Sequence, residues 1–158
     1  MNIKENMSII MRKEAEAIQN IVVTDDFEAS INLAMTCPGK VITTGIGKAG
    51  FMAQKFAATL SSTGTPSFFI HPAEAGHGDL GMIDADDLIF AFSTSGKSIE
   101  VIEMLENAKA LGVTRIVGVT SHIDSPLRQL SELVLDMGGE IDEACPLNLA
   151  PSSSIAAM

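Results

Sequence analysis

Short apolar runs alternate with helix-like segments from residue 40 onward. The runs lie at residues 40–44, 66–70, 88–92, 115–119 and 133–135, and polar or glycine-rich residues follow them. Strands this apolar, separated by helical segments, are typical of a parallel sheet that is covered on both faces. The pattern predicts an α/β fold: a doubly wound, mostly parallel five-stranded sheet of the flavodoxin type, with a ligand site at the carboxyl ends of the strands.

The first 38 residues have a different pattern, which predicts two helices. Residues 4–21 place four apolar side chains near one helical face, and we expect this helix to be an arm that packs on another subunit: Met7, Ile10, Ile18 and Ile21. A second helix follows, with Asp25 and Glu28 spaced as a capping box and with its end at Pro38. We expect residues 1–158 to form a single domain, with these helices preceding a core of residues 40–158.

Composition narrows the functional class. The 158 residues are 46% hydrophobic and carry a formal net charge of −10, which argues against nucleic acid as a partner. No apolar run approaches the roughly 20 residues that cross a bilayer, and the start does not resemble a signal peptide. We therefore expect a cytoplasmic protein without a membrane partner. Cys37 and Cys145 lack metal-type or redox spacing, and we expect them to be buried thiols.

The sequence STSGKS at residues 93–98 follows an apolar strand and opens a helical pattern. Hydroxyl groups, a glycine and a helix N-terminus together make a good cradle for an anion. The simpler interpretation is that Ser98 is only an N-cap. Glu100 favours the interpretation as an anion site, because a carboxylate beside an anion cradle is a plausible base for a bound substrate.

A second glycine-rich turn, GIGKAG at residues 45–50, matches the dinucleotide fingerprint between a strand and a helix. A nicotinamide cofactor remains an alternative, although the next strand does not end in the acidic residue that would bind a ribose. Lys48 inside the turn better suits a single phosphate or a developing oxyanion. The alternative for Lys48 is a solvated lysine in the first turn of the helix.

The loop at residues 71–81, HPAEAGHGDLG, contains two of the three histidines. His77 lies between glycines, where a substrate could approach a group that titrates near neutrality. For His71 we prefer a backbone-bonded strand end. A metal site is an alternative for this loop, from His71, Glu74, His77 and Asp79.

The last loop has three acids, Glu140, Asp142 and Glu143, before a proline-bounded turn and the serines at residues 152–154. The loop would bring a carboxylate to the same end of the sheet. The serine run would cap the helix that follows.

Five segments in this order resemble the SIS (sugar isomerase) domain of arabinose-5-phosphate isomerases: residues 45–50, 61–66, 71–81, 93–98 and 143–147. The resemblance covers residues 40–158. It implies interconversion of D-ribulose 5-phosphate and D-arabinose 5-phosphate through an enediol, for synthesis of the lipopolysaccharide and capsule sugar Kdo. It also implies a homotetramer, and we expect a dimer or tetramer.

The sequence departs from the family pattern in three ways. Lys97 stands where the serine loop more often has glutamate. The C-terminal helices and a Ser-His-Pro-Gly-Gly segment, whose histidine is thought to be catalytic, are missing. The paired CBS domains of many members are missing as well.

The chemistry of the resemblance assigns a role to each candidate residue. Isomerisation needs a base, groups that polarise the oxygens and a grip on the phosphate, but no redox cofactor. Glu100 and Glu143 are the candidate bases, and Lys48 and His77 would polarise the oxygens. Six residues would bind the phosphate: Gly47, Ser62, Ser93, Thr94, Ser95 and Ser98.

Two other functions remain open. A non-catalytic sugar-phosphate sensor could use the same cradle, although such regulators usually carry an N-terminal helix-turn-helix domain. The forty residues before the first strand are too few and too acidic for one. Another phosphosugar isomerase or epimerase is the second alternative.

Overall fold

A five-stranded sheet, parallel throughout, forms the centre of the computed structural model, which describes residues 2–139, 141–147 and 149–158. The strands are β1 (Val41–Gly45), β2 (Ser67–Ile70), β3 (Leu88–Phe92), β4 (Arg115–Thr120) and β5 (Leu133–Asp136). Their order is β2-β1-β3-β4-β5, and every pairing is parallel. The predicted doubly wound fold is confirmed, since this is the flavodoxin-type order.

Helices cover both faces of the sheet. They are α1 (Ile3–Gln19), α2 (Asp25–Met35), α3 (Gly47–Ser62), α4 (Pro72–Ala75), α5 (Ile99–Ala110), α6 (Pro126–Leu130) and α7 (Ser153–Ala157), with a short 3₁₀ helix at Asp79–Met82. Side chains from α1, α2, α3 and α7 share one hydrophobic cluster. Side chains from α4, the 3₁₀ helix, α5 and α6 share the other.

The central strands are apolar at successive positions because both of their faces are buried. In β3, Ile89 and Ala91 join the cluster around α5, whereas Phe90 and Phe92 join the cluster around α3. Phe56 of α3 contacts both phenylalanines edge to face, with ring centroids 5.1 and 5.7 Å apart. Packing in these two clusters fixes the positions of α3 and α5, and the N-termini of both helices lie at the carboxyl end of the sheet.

The N-terminal helix packs against this chain more than its pattern predicted. It ends at Gln19 and lies against α7, and Ile21 just beyond it joins the cluster on the α3 face. The four apolar positions of the predicted face are split. Ile10 and Ile21 are half-buried, whereas Met7 and Ile18 remain 58% and 51% exposed. The arm that contacts another subunit stays a prediction.

The predicted capping box of the second helix is wrong. Thr24 is the N-cap of α2 and makes no side-chain cap bond, so Asp25 lies within the first turn of the helix. The carboxylate of Asp26 accepts a hydrogen bond from the backbone N–H of Val134 at 3.0 Å. The acidic start of α2 therefore holds β5 in place, a tertiary contact that local spacing does not show.

The cysteines also differ from expectation, because Cys37 and Cys145 are half-buried and not buried. The sulfur of Cys37 lies 3.6 Å from the carbonyl oxygens of Lys40 and Asp86. Across the described ranges, every helix is too short or too polar to cross a membrane.

A buried carboxylate fixes the amino end of the sheet. Asp87 is fully buried and accepts hydrogen bonds from the backbone N–H groups of Lys40 at 2.7 Å and Asp84 at 2.8 Å. The Lys40 ammonium group lies 3.2 Å from the same carboxylate. Asp87 therefore joins the starts of β1 and β3.

We expect Asp87→Ala to lower the free energy of unfolding by about 1–3 kcal/mol, because two partly buried backbone N–H donors lose their acceptor. Urea denaturation monitored by circular dichroism measures the change. Asp84→Ala is the matched control. It removes an ion pair between Lys40 and a carboxylate that is 77% exposed, which is worth less than about 1 kcal/mol. Equal losses in the two variants would contradict this role of Asp87.

Candidate functional site

The site lies where the direction of winding reverses. β1 and β3 are neighbours, with Gly45 paired to Phe92 at their carboxyl ends. The chain leaves β1 into α3 on one face and leaves β3 into α5 on the other. The N-termini of the two helices therefore start beside one another, which is where open α/β sheets bind their ligands.

Close packing explains the glycine turn between β1 and α3. A Cβ atom at Gly45 would lie 2.9 Å from the carbonyl oxygen of Phe92, and one at Gly50 would lie 2.6 Å from that of Gly45. Gly47 has a φ of +62°, which favours glycine. The glycine spacing thus brings α3 close to β1 and β3. Lys48 is exposed in the first turn of α3.

The serine loop, residues 93–98, is held partly by its own side chains. Ser93 is 3% exposed, and its hydroxyl oxygen accepts a hydrogen bond from Gly96 N–H at 3.1 Å. The same oxygen lies 3.0 Å from the Ser98 hydroxyl. Ser95 Oγ accepts from Lys97 N–H at 3.2 Å. Ser93 therefore shapes the loop from inside, whereas Thr94, Ser95 and Ser98 are half-buried at its surface.

The N-terminus of α5 is open to an anion. Ser98 occupies the N-cap position, but its hydroxyl makes no cap bond. The carbonyl oxygen of Ser98 accepts the first bond of the helix, from Ile102 N–H at 3.0 Å. The N–H groups at residues 99–101 therefore have no partner within the helix. Together with the helix dipole they favour a bound phosphate. Ser98 is thus the N-cap by its backbone position, as the simpler interpretation expected, but its hydroxyl does not make the capping hydrogen bond.

Glu100 and His77 line one cavity. This cavity of about 180 Å³ lies between α4 and α5, and its lining is Pro72, Ala73, Gly76, His77, Glu100, Glu103, Met104 and Asn107. Glu100 is half-buried in the first turn of α5, and His77 is exposed. A carboxylate and an imidazole that face the same cavity can move protons on a substrate whose phosphate is bound by the loop.

The four residues proposed as an alternative metal site do not converge. In the described part of the chain, no group of three or more His, Cys, Asp or Glu side chains is arranged to bind a metal ion. His71 instead packs against Phe69, with ring centroids 6.2 Å apart. The loop at residues 71–81 is wound into α4 and the 3₁₀ helix, which separates these side chains.

Glu143 lies apart from Glu100. It lines a different cavity, of about 380 Å³, between α1 and residues 143–146. Its carboxylate accepts hydrogen bonds from the backbone N–H groups of Ser152 at 2.6 Å and Ser154 at 3.4 Å, so it caps α7. The serine run was expected to cap this helix, but Ser152 makes no side-chain cap bond. Glu140, the first acid of this loop, lies outside the described residues.

The environment of Glu143 keeps its carboxylate ionised. Burial alone would raise the pKa, but hydrogen bonds from Ser154 and Ser152 outweigh burial and hold the pKa of Glu143 below its ordinary value of 4.5. A group whose pKa is lowered by folding stabilises the folded state above its unfolded pKa. That stabilisation is lost as the pH falls through the lower, folded value.

We expect Glu143→Gln to lower the free energy of unfolding at pH 7 by about 1 kcal/mol, a typical effect of losing a helix cap. The difference from the parent should begin to shrink below about pH 4.5, and it should disappear once the pH has fallen through the lower, folded pKa, where the parent carboxylate is protonated as well. Urea titrations between pH 7 and pH 3 measure it. Asp142→Asn, in an exposed side chain of the same segment, should change little. A constant difference at every pH would contradict the capping role.

Ser62 lies at the other end of the sheet. It is the last residue of α3, five residues before β2 begins, and its hydroxyl donates to the carbonyl oxygen of Thr59 at 2.7 Å. α3 runs from the carboxyl end of β1 to the amino end of β2. The structure therefore does not bring Ser62 to the serine loop of its own chain.

Sequence reasoning missed the residues that support the serine loop from behind. Thr120 is fully buried at the end of β4, and its hydroxyl donates to the carbonyl oxygen of Thr94 at 3.1 Å. The backbone N–H of Ser121 donates to the same oxygen at 3.0 Å. Polar residues directly after the apolar run 115–119 were the available signal, since carboxyl ends of parallel strands share one end of the sheet.

Comparison with known proteins agrees with this geometry. The family model described as SIS domain matches residues 34–158. A Pseudomonas aeruginosa protein named arabinose 5-phosphate isomerase is 44% identical over 163 aligned residues, which cover 98% of this chain and 49% of the relative. The chain spans about half the length of the curated relatives it matches.

Two solved structures are similar over nearly the whole chain. A candidate phosphosugar isomerase of capsule formation from Bacteroides fragilis has 38% identity and a TM-score of 0.93, with 99% of this chain and 83% of that chain covered. An Escherichia coli protein in complex with arabinose 5-phosphate has 36% identity and a TM-score of 0.89, with 99% and 85% covered.

Proposed function

Because this chain belongs to the SIS domain family, we propose that it is an aldose–ketose isomerase that interconverts D-arabinose 5-phosphate and D-ribulose 5-phosphate. The observation that carries the proposal is the open N-terminus of α5, which follows the serine loop and has Glu100 in its first turn. This arrangement provides an anion site and a base within one helical turn. The named relatives supply the choice of sugar.

The serine loop binds the phosphate in this proposal. Thr94, Ser95 and Ser98 offer side chains at its surface, and the first N–H groups of α5 point along the helix axis. Gly47 lets the start of α3 come close to the ligand without a side chain. Ser93 acts indirectly, by fixing Gly96 and Ser98.

Glu100 is the proposed base. It takes a proton from the carbon beside the carbonyl group, the electron pair forms the enediolate, and the same carboxyl returns the proton to the neighbouring carbon. His77, which lines the same cavity, would move the proton between the two oxygens. Lys48, at the start of α3, would stabilise the negative oxygen. Glu143 remains the second candidate for the base, although its contacts in this chain are those of a helix cap.

Product formation tests the proposal directly. D-ribulose 5-phosphate is incubated with this chain, and D-arabinose 5-phosphate is measured by chromatography, with other pentose and hexose phosphates as competing substrates. Formation of the arabinose product supports the proposal. A chain that binds sugar phosphates tightly but neither converts them nor exchanges their carbon-bound hydrogen would be a sensor.

We further propose that the chain forms a homo-oligomer, a dimer or tetramer, in the cytoplasm, where its product enters Kdo synthesis. Apolar side chains of α1 and α2 support an oligomer, because Met11 is 69% and Met35 is 78% exposed. A monomer in light scattering at micromolar concentration would overturn it.

A further inference from the structure

The serine loop is bonded along its length to one neighbouring segment. We call residues 119–127, which lead from the end of β4 into α6, the β4–α6 segment. Ser93 N–H donates to the carbonyl oxygen of Val119 at 3.0 Å, and Leu127 N–H donates to that of Gly96 at 3.1 Å. Between these two bonds lies Thr94, whose carbonyl oxygen accepts two hydrogen bonds from the segment.

Gly96 shows how closely the two segments approach. It has a φ of +63°, and a Cβ atom there would lie 2.3 Å from the hydroxyl oxygen of Ser125 and 3.0 Å from that of Thr120. Ser125 and Thr120 are both buried, at 2% and 0% exposure. The loop backbone at Gly96 therefore packs closely against the buried hydroxyl groups of Ser125 and Thr120.

The two bonds to Thr94 set the direction of the next amide group. A trans peptide unit is planar, with its carbonyl and N–H groups on opposite sides. The Thr94 carbonyl points at Thr120 and Ser121, so the N–H of Ser95 points away from the β4–α6 segment. That direction leaves the Ser95 amide available to an anion in the loop.

We propose that Thr120 is a positioning residue for phosphate binding, whose hydroxyl fixes the Ser95 amide as a donor to the phosphate. This inference rests on the proposed function, because it assumes that the loop binds the phosphate of a sugar. Ser121 N–H supplies one of the two bonds to Thr94 through the backbone. The side chain of Thr120 supplies the other, so that bond can be removed by substitution.

Thr120→Val removes the hydroxyl and keeps the volume. We expect it to weaken binding of D-ribulose 5-phosphate and of inorganic phosphate about 3–10-fold, as for the loss of one hydrogen bond. Thr120→Ser keeps the hydroxyl and should bind like the parent. Isothermal calorimetry gives the affinities. In ¹⁵N-resolved NMR spectra, phosphate should move the Ser95 amide proton in the parent and in Thr120→Ser, and move it less in Thr120→Val.

Thr43→Val separates positioning from stability. Thr43 is equally buried in β1, and its hydroxyl donates to the carbonyl oxygen of Ala53 at 2.8 Å, away from the loop. We expect Thr43→Val to lower the free energy of unfolding as Thr120→Val does but to leave phosphate affinity unchanged. Unchanged affinity in Thr120→Val, equal weakening in both valine variants, or no rescue by serine would overturn the inference. A parent chain that binds neither probe would instead overturn the proposed function.

Discussion

Glu100→Gln should reduce turnover of D-ribulose 5-phosphate by about 10²–10⁴-fold, the usual contribution of general base catalysis. Glutamine keeps the shape of a side chain that is half-buried in the cavity shared with His77, but it cannot accept the proton. Binding should persist, because in the proposed function the loop and the helix N-terminus hold the phosphate. Exchange of substrate hydrogen with deuterated water should fall in parallel with turnover, since both report the same proton abstraction.

Glu106→Gln is the matched control for this experiment. Glu106 lies on the same helix, is exposed, and does not line the cavity. It should turn over and exchange like the parent. If Glu100→Gln also exchanged like the parent, the role of base would move to Glu143. If it lost stability and affinity together, Glu100 would be a structural residue of the helix.

Ser95→Ala should weaken sugar-phosphate binding by about 1.5–3 kcal/mol, which is typical of a hydrogen bond to a charged group. The Ser95 hydroxyl lies at the surface of the loop, and its oxygen accepts a hydrogen bond from Lys97 N–H at 3.2 Å. It is therefore placed to donate its own proton to a phosphate oxygen. Calorimetry with D-ribulose 5-phosphate measures the loss, and an unphosphorylated pentose should bind poorly to the parent.

Ser62→Ala provides the contrast. Family resemblance and the serine-rich sequence placed Ser62 among the phosphate ligands, but its hydroxyl is bonded to Thr59 at the far end of α3. Within one chain it cannot reach the loop, so we expect the affinity of this variant to match the parent. Weakening by Ser62→Ala would show that a second subunit brings this end of α3 to the phosphate.

The sheet could be predicted from the sequence because a strand that is buried on both faces is apolar at every position. Leu88 to Phe92 has no polar position, and that pattern suits a central parallel strand. The glycine turn and the serine loop could also be predicted from the sequence. Both directly follow parallel strands, and the carboxyl ends of parallel strands lie at one end of the sheet, so the two segments were expected to form one site.

The partners of individual polar side chains were harder to predict. Glu143 was expected to be a candidate base at the same end of the sheet as Glu100, but its carboxylate accepts hydrogen bonds from the N–H groups of Ser152 and Ser154. Ser93 was expected to contact phosphate, but its hydroxyl oxygen accepts from Gly96 N–H. In each case several donors compete for one acceptor, and tertiary placement decides among them. The spacing of residues along the sequence does not show which donor binds which acceptor, so the contact between Thr120 and the serine loop was not predicted.

The strand order also determines when the anion site can exist during synthesis. Once β1 and β2 have paired, β3 adds on the free side of β1, β4 adds beside β3 and β5 beside β4, so no strand has to insert between two that are already paired. Sheet growth can therefore follow the emergence of the chain from the ribosome. The serine loop emerges before the β4–α6 segment that holds the carbonyl groups of Thr94 and Gly96. We therefore expect a nascent chain to order the proposed anion site only after Leu127, whose N–H bonds to the carbonyl oxygen of Gly96, has left the exit tunnel.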